Sequence, residues 1–137
     1  MQETCLDFDH TFYTTATNNI LSKNIALESL LVRMVDHPYD AKLEAAIYPD
    51  HEVLEAALSL ILEQGKEIGG FRSVCDRCGL FASELIRITS KNFGAGAMTE
   101  RLINEGDKSG DLVESLISLI QSQFTDIQKI RNTLSQS

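Results

Sequence analysis

Apolar side chains recur at intervals of three and four residues along most of the chain, which is the spacing of one face of an α-helix. The first such face predicts a helix that begins near Thr4, and its members are Cys5, Phe8, Phe12, Ala16 and Ile20. Threonine and asparagine crowd residues 14–19, where their short polar side chains compete for backbone hydrogen bonds. A bend or break is therefore predicted there, before a second helix over residues 24–36 that Pro38 ends.

Capping residues and glycines divide the middle of the chain. Aspartates at the starts of residues 40–47 and 50–64 can cap a short and a longer helix, and the longer one carries a broad apolar stripe. Gly65 is suited to end that helix in the left-handed conformation. Residues 73–76 read as a capping box and therefore predict the start of a further helix, over residues 73–91.

Two glycine-rich stretches, residues 92–97 and 106–110, are predicted to be loops, and the last helix follows over residues 111–134. No long linker or internal repeat is evident, and no run of five or more residues alternates between apolar and polar with the β-branched content that is typical of a strand. The pattern predicts an all-α bundle of about five to six helices, with a long C-terminal amphipathic helix, in a single domain over residues 1–137.

The last predicted helix carries an apolar seam, interrupted only by Arg131. A seam of this length needs a long partner helix, in the same chain or in a second copy of it. We therefore predict that its residues form an interaction surface and that the protein self-associates; they are Val113, Ile117, Ile120, Phe124, Ile127 and Leu134.

Charge and composition narrow the classes of partner. The formal net charge is -8, and acidic residues dominate residues 1–65, so phosphate backbones are repelled and nucleic acid is not an expected partner. No apolar run approaches the roughly 18 residues that a membrane span needs, so no membrane contact is expected. Three cysteines, an odd number, and an acidic N-terminal segment without an apolar core favour a cytoplasmic location.

The pair Cys75 and Cys78 is the most specific chemical pattern. Placed in the first turns of a helix beside Arg77, the two thiols could be reactive, because a helix N-terminus and a cation stabilise a thiolate. They could instead bind a metal, with Cys5 and His10 as the available further ligands. The third interpretation places both in the core, because cysteine is among the most buried residue types.

Two carboxylate pairs point to a different chemistry. Glu52 with Glu55 and Asp111 with Glu114 are each three residues apart, so each pair projects from one helix face and could hold Mg²⁺ against phosphates. The pairs resemble the acidic motifs of MazG-like all-α nucleotide pyrophosphohydrolases, and the resemblance implies a Mg²⁺-dependent nucleotide hydrolase. It covers only these two short motifs; the second is reversed in residue order and lies too far from the first, so the family is not assigned.

Together these observations favour a non-catalytic helical protein-interaction module, such as a small regulator, adaptor or chaperone, whose partner is another protein or a second copy of itself. No Ser/His/Asp or Cys/His arrangement indicates a nucleophile, so an enzyme is not favoured, and neither catalytic residues nor a cofactor are predicted. Two alternatives stay open: a thiol-redox or metal-binding protein using Cys75 and Cys78, and the nucleotide hydrolase.

Overall fold

The computed structural model describes residues 10–36, 50–106 and 111–136, and these form four long helices without a strand. The helices are α1 (His10–Asp36), α2 (Asp50–Cys78), α3 (Ala82–Glu105) and α4 (Asp111–Ser135). The all-α prediction is confirmed, whereas the predicted five to six helices are replaced by four longer ones over the described ranges. The start predicted near Thr4 and the short helix predicted over residues 40–47 lie outside these ranges.

The helix count differs because segments predicted to be breaks lie inside helices. Residues 14–19 continue through α1, where Thr17 is buried and its hydroxyl donates to the Tyr13 carbonyl oxygen 2.8 Å away. Residues 92–97, predicted to be a loop, lie in the middle of α3. Burial of Thr17 and Asn92 against neighbouring helices outweighs the weak helix propensity of the two stretches.

The end of α2 also lies where the sequence predicted a helix start. Residues 73–78 are the last turns of α2, and the chain turns at Gly79 and Phe81, whose φ angles of 66° and 55° are left-handed. The amide of Leu80 donates to the Cys75 carbonyl oxygen at 3.0 Å, which closes the turn. The apparent capping box is therefore helix interior, and the supposed terminator Gly65 lies well inside α2.

The four helices form an up-down-up-down bundle. Each helix packs antiparallel to the next in sequence, and α4 returns to pack against α1. The imidazole Nε2 of His10, at the start of α1, is 2.8 Å from the Leu134 carbonyl oxygen near the end of α4. Buried positions repeat in alternating steps of three and four, the heptad pattern of packed helices; in α2 they are Leu54, Ala57, Ile61, Gln64, Ile68, Phe71 and Cys75.

A layer of four buried amides divides the apolar core into two clusters. One amide comes from each helix: Asn24, Gln64, Asn92 and Gln123. Asn24 Nδ2 donates to Gln123 Oε1 at 2.9 Å, and Asn92 Nδ2 donates to Gln64 Oε1 at 3.0 Å. The remaining amide donors reach main-chain carbonyl oxygens of neighbouring helices, so the layer ties all four helices together.

The amide layer is part of an internal repeat in which α1 and α2 correspond to α3 and α4. Residues 20–24 read ILSKN and residues 88–92 read ITSKN, while residues 59–68 and 118–127 read SLILEQGKEI and SLIQSQFTDI. The correspondence includes an ion pair in each half, Lys23 with Glu67 and Lys91 with Asp126. The repeat, missed in the sequence analysis, gives the bundle an approximate two-fold axis.

Candidate functional site

The two cysteines of the Cys-x-x-Cys pattern have different environments. Cys75 is a buried free thiol in the core, and burial, followed by the neighbouring Asp76 carboxylate, raises its pKa to about 12. Cys78 is disulfide-bonded, so the two sulfurs are not bonded to each other. At neutral pH Cys75 has almost no thiolate, which is the form that reacts or binds metal.

The predicted metal ligands are not brought together within the described ranges. His10 uses its Nε2 in the hydrogen bond to the Leu134 carbonyl oxygen, and Cys5 lies outside the described residues. Among the residues that the structure describes, no three His, Cys, Asp or Glu side chains are placed to hold a metal ion.

The two carboxylate pairs lie at the starts of two different helices. Glu52 and Glu55 are exposed on the first turns of α2, where the Glu55 carboxylate is 3.2 Å from the His51 imidazole. Asp111 and Glu114 are exposed on the first turn of α4. Acidic residues in a first turn are favoured by the helix dipole alone, so these positions need no bound cation to explain them.

The most deeply buried charged group in the described residues is the carboxylate of Asp126 on α4. Arg87 Nε lies 3.1 Å from one of its oxygens, and Lys91 Nζ donates to the other. Burial alone would raise the pKa of Asp126, but hydrogen bonds and charge attraction from Lys91 and Arg87 outweigh burial and lower it. The cluster cross-links α3 to α4 and leaves neither carboxylate oxygen open to a ligand.

The predicted interaction seam of α4 faces mostly inward. Ile120, Ile127 and Leu134 are buried in the bundle, while the remaining members, Val113, Ile117 and Phe124, are partly buried against it. The buried row of α4 passes through Gln123, which is not among the predicted seam residues. Helices of the same chain supply the partner that the seam needed, so only its partly buried members border on solvent.

The most exposed large apolar side chains of the described residues lie on α2 and α3 rather than on α4. Leu62 on α2 is 59% exposed, and Ile86 and Phe93 on α3 are 55% and 73% exposed. They share one side of the bundle with three small exposed residues, and we call this surface the α2–α3 face. Its residues are Leu62, Gly69, Ile86, Ser90, Phe93 and Ala97.

Contacts between α2 and α3 show why these side chains share a side. Arg72 Nη1 donates to Thr89 Oγ1 at 3.4 Å, and a Cβ on Gly96 would lie 3.6 Å from the Ile61 side chain. Leu62 immediately follows Ile61, and Phe93 is one helical turn from both Thr89 and Gly96. Each exposed side chain therefore projects from the rim of the groove between the two helices.

The corresponding surface between α1 and α4 is closed. Ile25 takes the place of Phe93 and is 47% exposed. Phe124 takes the place of Gly65 and packs against the core, and Gln121 takes the place of Leu62, with its Nε2 donating to Glu28 Oε2 at 2.8 Å. Gly65, by contrast, leaves no side chain in the groove; a Cβ there would lie only 2.9 Å from Asn92 Oδ1.

Along α3, charge is confined to the two ends of the α2–α3 face, whereas α2 carries the exposed Lys66 near the middle. Between Ser83 and Ala97 the outer positions of α3 on this side are uncharged. Glu55 and Glu100 border a shallow groove at one end. At the other end lies Arg72, with the Asp76 carboxylate 3.9 Å away. An apolar centre with charges at its margin is the usual anatomy of a protein-binding surface.

Comparisons of the chain with protein-family models, with curated proteins and with solved structures found no match. None of the four described helices is both long and apolar enough to cross a membrane. The sequence pattern does not show the α2–α3 face, because the exposure of Leu62, Ile86 and Phe93 can be predicted only once the heptad register of α2 and α3 is known.

Proposed function

We propose that this protein is a non-catalytic interaction module, such as a small regulator, adaptor or chaperone, that binds a protein partner through the α2–α3 face. One observation carries the proposal: the three most exposed large apolar side chains of the described residues, Leu62, Ile86 and Phe93, gather on one helix pair. Monomeric proteins rarely expose contiguous apolar surface without a binding role. A cytoplasmic location belongs to the same proposal; the odd cysteine count favours it, whereas the disulfide bond of Cys78 opposes it, because disulfides are rare in the cytoplasm.

The energetics suit a moderately stable complex. Full burial of a Leu, Ile or Phe side chain contributes about 1.5–3 kcal/mol, and each of the three has half or more of that surface still to bury. Because all three project from helices fixed by the core, little conformational entropy is lost on binding. Phe93 is the most exposed of them, and we expect it to contribute the largest share of the binding free energy, since aromatic side chains dominate binding hot spots.

The other chemical interpretations have weaker support. A redox or metal role needs an accessible thiolate, whereas Cys75 is buried with a pKa of about 12. A nucleotide hydrolase needs its carboxylates to converge, whereas Glu52 and Asp111 begin different helices and join no cluster of three ligands in the described residues.

The test compares two substitutions that correspond in the internal repeat. Phe93→Ser alters the α2–α3 face, and Ile25→Ser alters the equivalent position on the closed side as the matched control. Proteins retained by the immobilised wild-type chain are identified, purified and measured again by calorimetry. We expect a protein, which includes the chain itself, whose binding weakens at least about tenfold with Phe93→Ser and stays unchanged with Ile25→Ser. Equal binding by both variants would overturn the proposal.

A further inference from the structure

The α2–α3 face carries acidic and basic groups at opposite ends of an apolar centre. Resting on the function proposed above, we infer that its partner is a second copy of this chain, related by a two-fold axis normal to the face near Phe93. The observations that identify the occupant are the placement of Arg72 and Glu100 along the face and the closure of the equivalent side.

The two charged groups lie on opposite sides of Phe93 along the face. Glu100 is seven residues further along α3, or about 10 Å at 1.5 Å per residue. In the other direction Arg72 reaches Thr89, four residues before Phe93, from a main chain that lies still further along. A two-fold rotation at Phe93 therefore brings Arg72 of each copy to Glu100 of the other and places the two Phe93 rings side by side.

The face is thus complementary to itself. Uncharged Ser90 and Ala97 flank Phe93 on the outer side of α3, so the α3 helices of two copies can approach closely without burying an unpaired charge. Asp76 shares the end with Arg72, but at 3.9 Å it lies at the limit of an ion pair and leaves the guanidinium able to meet a second carboxylate. The two intermolecular pairs fix the orientation, while the apolar centre supplies most of the affinity.

The other side of the bundle does not offer this arrangement. There Phe124 fills the position of Gly65, and the hydrogen bond between Gln121 and Glu28 occupies the rim where Leu62 is exposed on the α2–α3 face. One self-complementary face on each molecule makes a closed dimer.

Sedimentation velocity of the purified full-length chain over a concentration series tests whether the chain forms a dimer through this face. We expect a concentration-dependent dimer, a dissociation constant raised at least about tenfold by Phe93→Ser, and no change with Ile25→Ser. Thermal unfolding by circular dichroism verifies that both variants fold. A wild-type chain that stays monomeric overturns the inference. The proposed function survives that result if a different protein still loses binding with Phe93→Ser, and it fails as well if no protein does.

A charge exchange tests the orientation. Arg72→Glu alone and Glu100→Arg alone each place like charges together at both ends of the interface, so each variant should dimerise more weakly than the wild type. In an equimolar mixture of the two variants, the introduced carboxylate of one chain meets the introduced guanidinium of the other, and the unaltered pair meets at the opposite end. Dimers should therefore return in the mixture. Failure of the mixture to recover overturns the two-fold arrangement.

Discussion

Asn24 Nδ2 lies 2.9 Å from Gln123 Oε1 in the centre of the bundle, and the same bond recurs at 3.0 Å between Asn92 and Gln64. Both glutamine side chains are fully buried, so water cannot reach their oxygens and each oxygen needs the asparagine as its hydrogen-bond donor. Amides inside a helical bundle fix the register of the helices, because a shifted helix would leave them unpaired against apolar neighbours.

Replacing Asn24 with Ala should destabilise the bundle by about 2–4 kcal/mol, because it opens a small cavity and leaves Gln123 Oε1 and the Ile120 carbonyl oxygen without their buried donor. Urea unfolding of the variant gives the loss. Gln121→Ala, which removes a hydrogen bond to Glu28 on the surface, is the control and should cost under about 1 kcal/mol. Equal losses for the two variants would refute the role given to the amide layer.

Asp126 should make stability depend on acid pH. Its pKa is lowered in the folded state, so its stabilisation is fully present above the unfolded-state pKa of about 4 and is lost as the pH falls through the folded-state value. Asp126→Asn should cost about 1–3 kcal/mol at pH 7 and remove part of the acid dependence. The matched control is Glu67→Gln, which breaks the corresponding but more exposed ion pair with Lys23 and should cost less. Unfolding titrations from about two pH units below that pKa up to neutral pH measure both effects. An unchanged pH profile for Asp126→Asn would contradict the assignment.

Two glycines of α2 should respond to alanine with opposite signs. A Cβ at Gly69 meets open space, so Gly69→Ala should stabilise the helix by about 0.5–1 kcal/mol. At Gly65 the Cβ would lie 2.9 Å from Asn92 Oδ1, and Asn92 is held by its hydrogen bonds to Gln64 and Ile61. Gly65→Ala should therefore lower the melting temperature, despite the better helix propensity of alanine. A rise in both melting temperatures would show that α2 and α3 are less closely packed here.

Cys75 should be inert in the folded protein. With its pKa raised from 9.0 to about 12, its thiolate population at neutral pH falls about a thousandfold, and burial restricts access further. Alkylation by iodoacetamide at neutral pH, followed residue by residue with mass spectrometry, should modify Cys75 only after urea unfolds the chain. Rapid modification of the native protein would reopen the redox interpretation.

Helical spacing predicted the all-α class correctly, because a period of 3.6 residues is a local property of the chain. The same reasoning placed breaks at residues 14–19, Gly65 and residues 92–97, since it treated polar and small residues as ends of helices. Inside the bundle each of them supplies a position at a helix contact: the Thr17 hydroxyl bonds to its own helix, Gly65 leaves room for Asn92, and Asn92 takes a buried position that an apolar side chain would usually hold. Their burial depends on partners from distant parts of the sequence, which local patterns do not contain.

The α2–α3 face could not be predicted for the same reason. Ile117 and Phe124 share an apolar stripe with Ile120 in the sequence of α4, yet the buried row runs through Gln123. Comparing residues 20–24 with residues 88–92 would have exposed the repeat and, with it, the shared register of Asn24 and Asn92. Once that register is known, Phe93 is predicted to lie on the solvent-facing side of α3.

Under the dimerisation proposed above, the difference between Gly65 and Phe124 limits how far the protein can assemble. A bundle with the same binding groove on two opposite sides could bind a further copy at each side and form a filament. Because the Phe124 ring fills the groove on one side, each molecule has a single self-complementary interface, and assembly ends at the dimer.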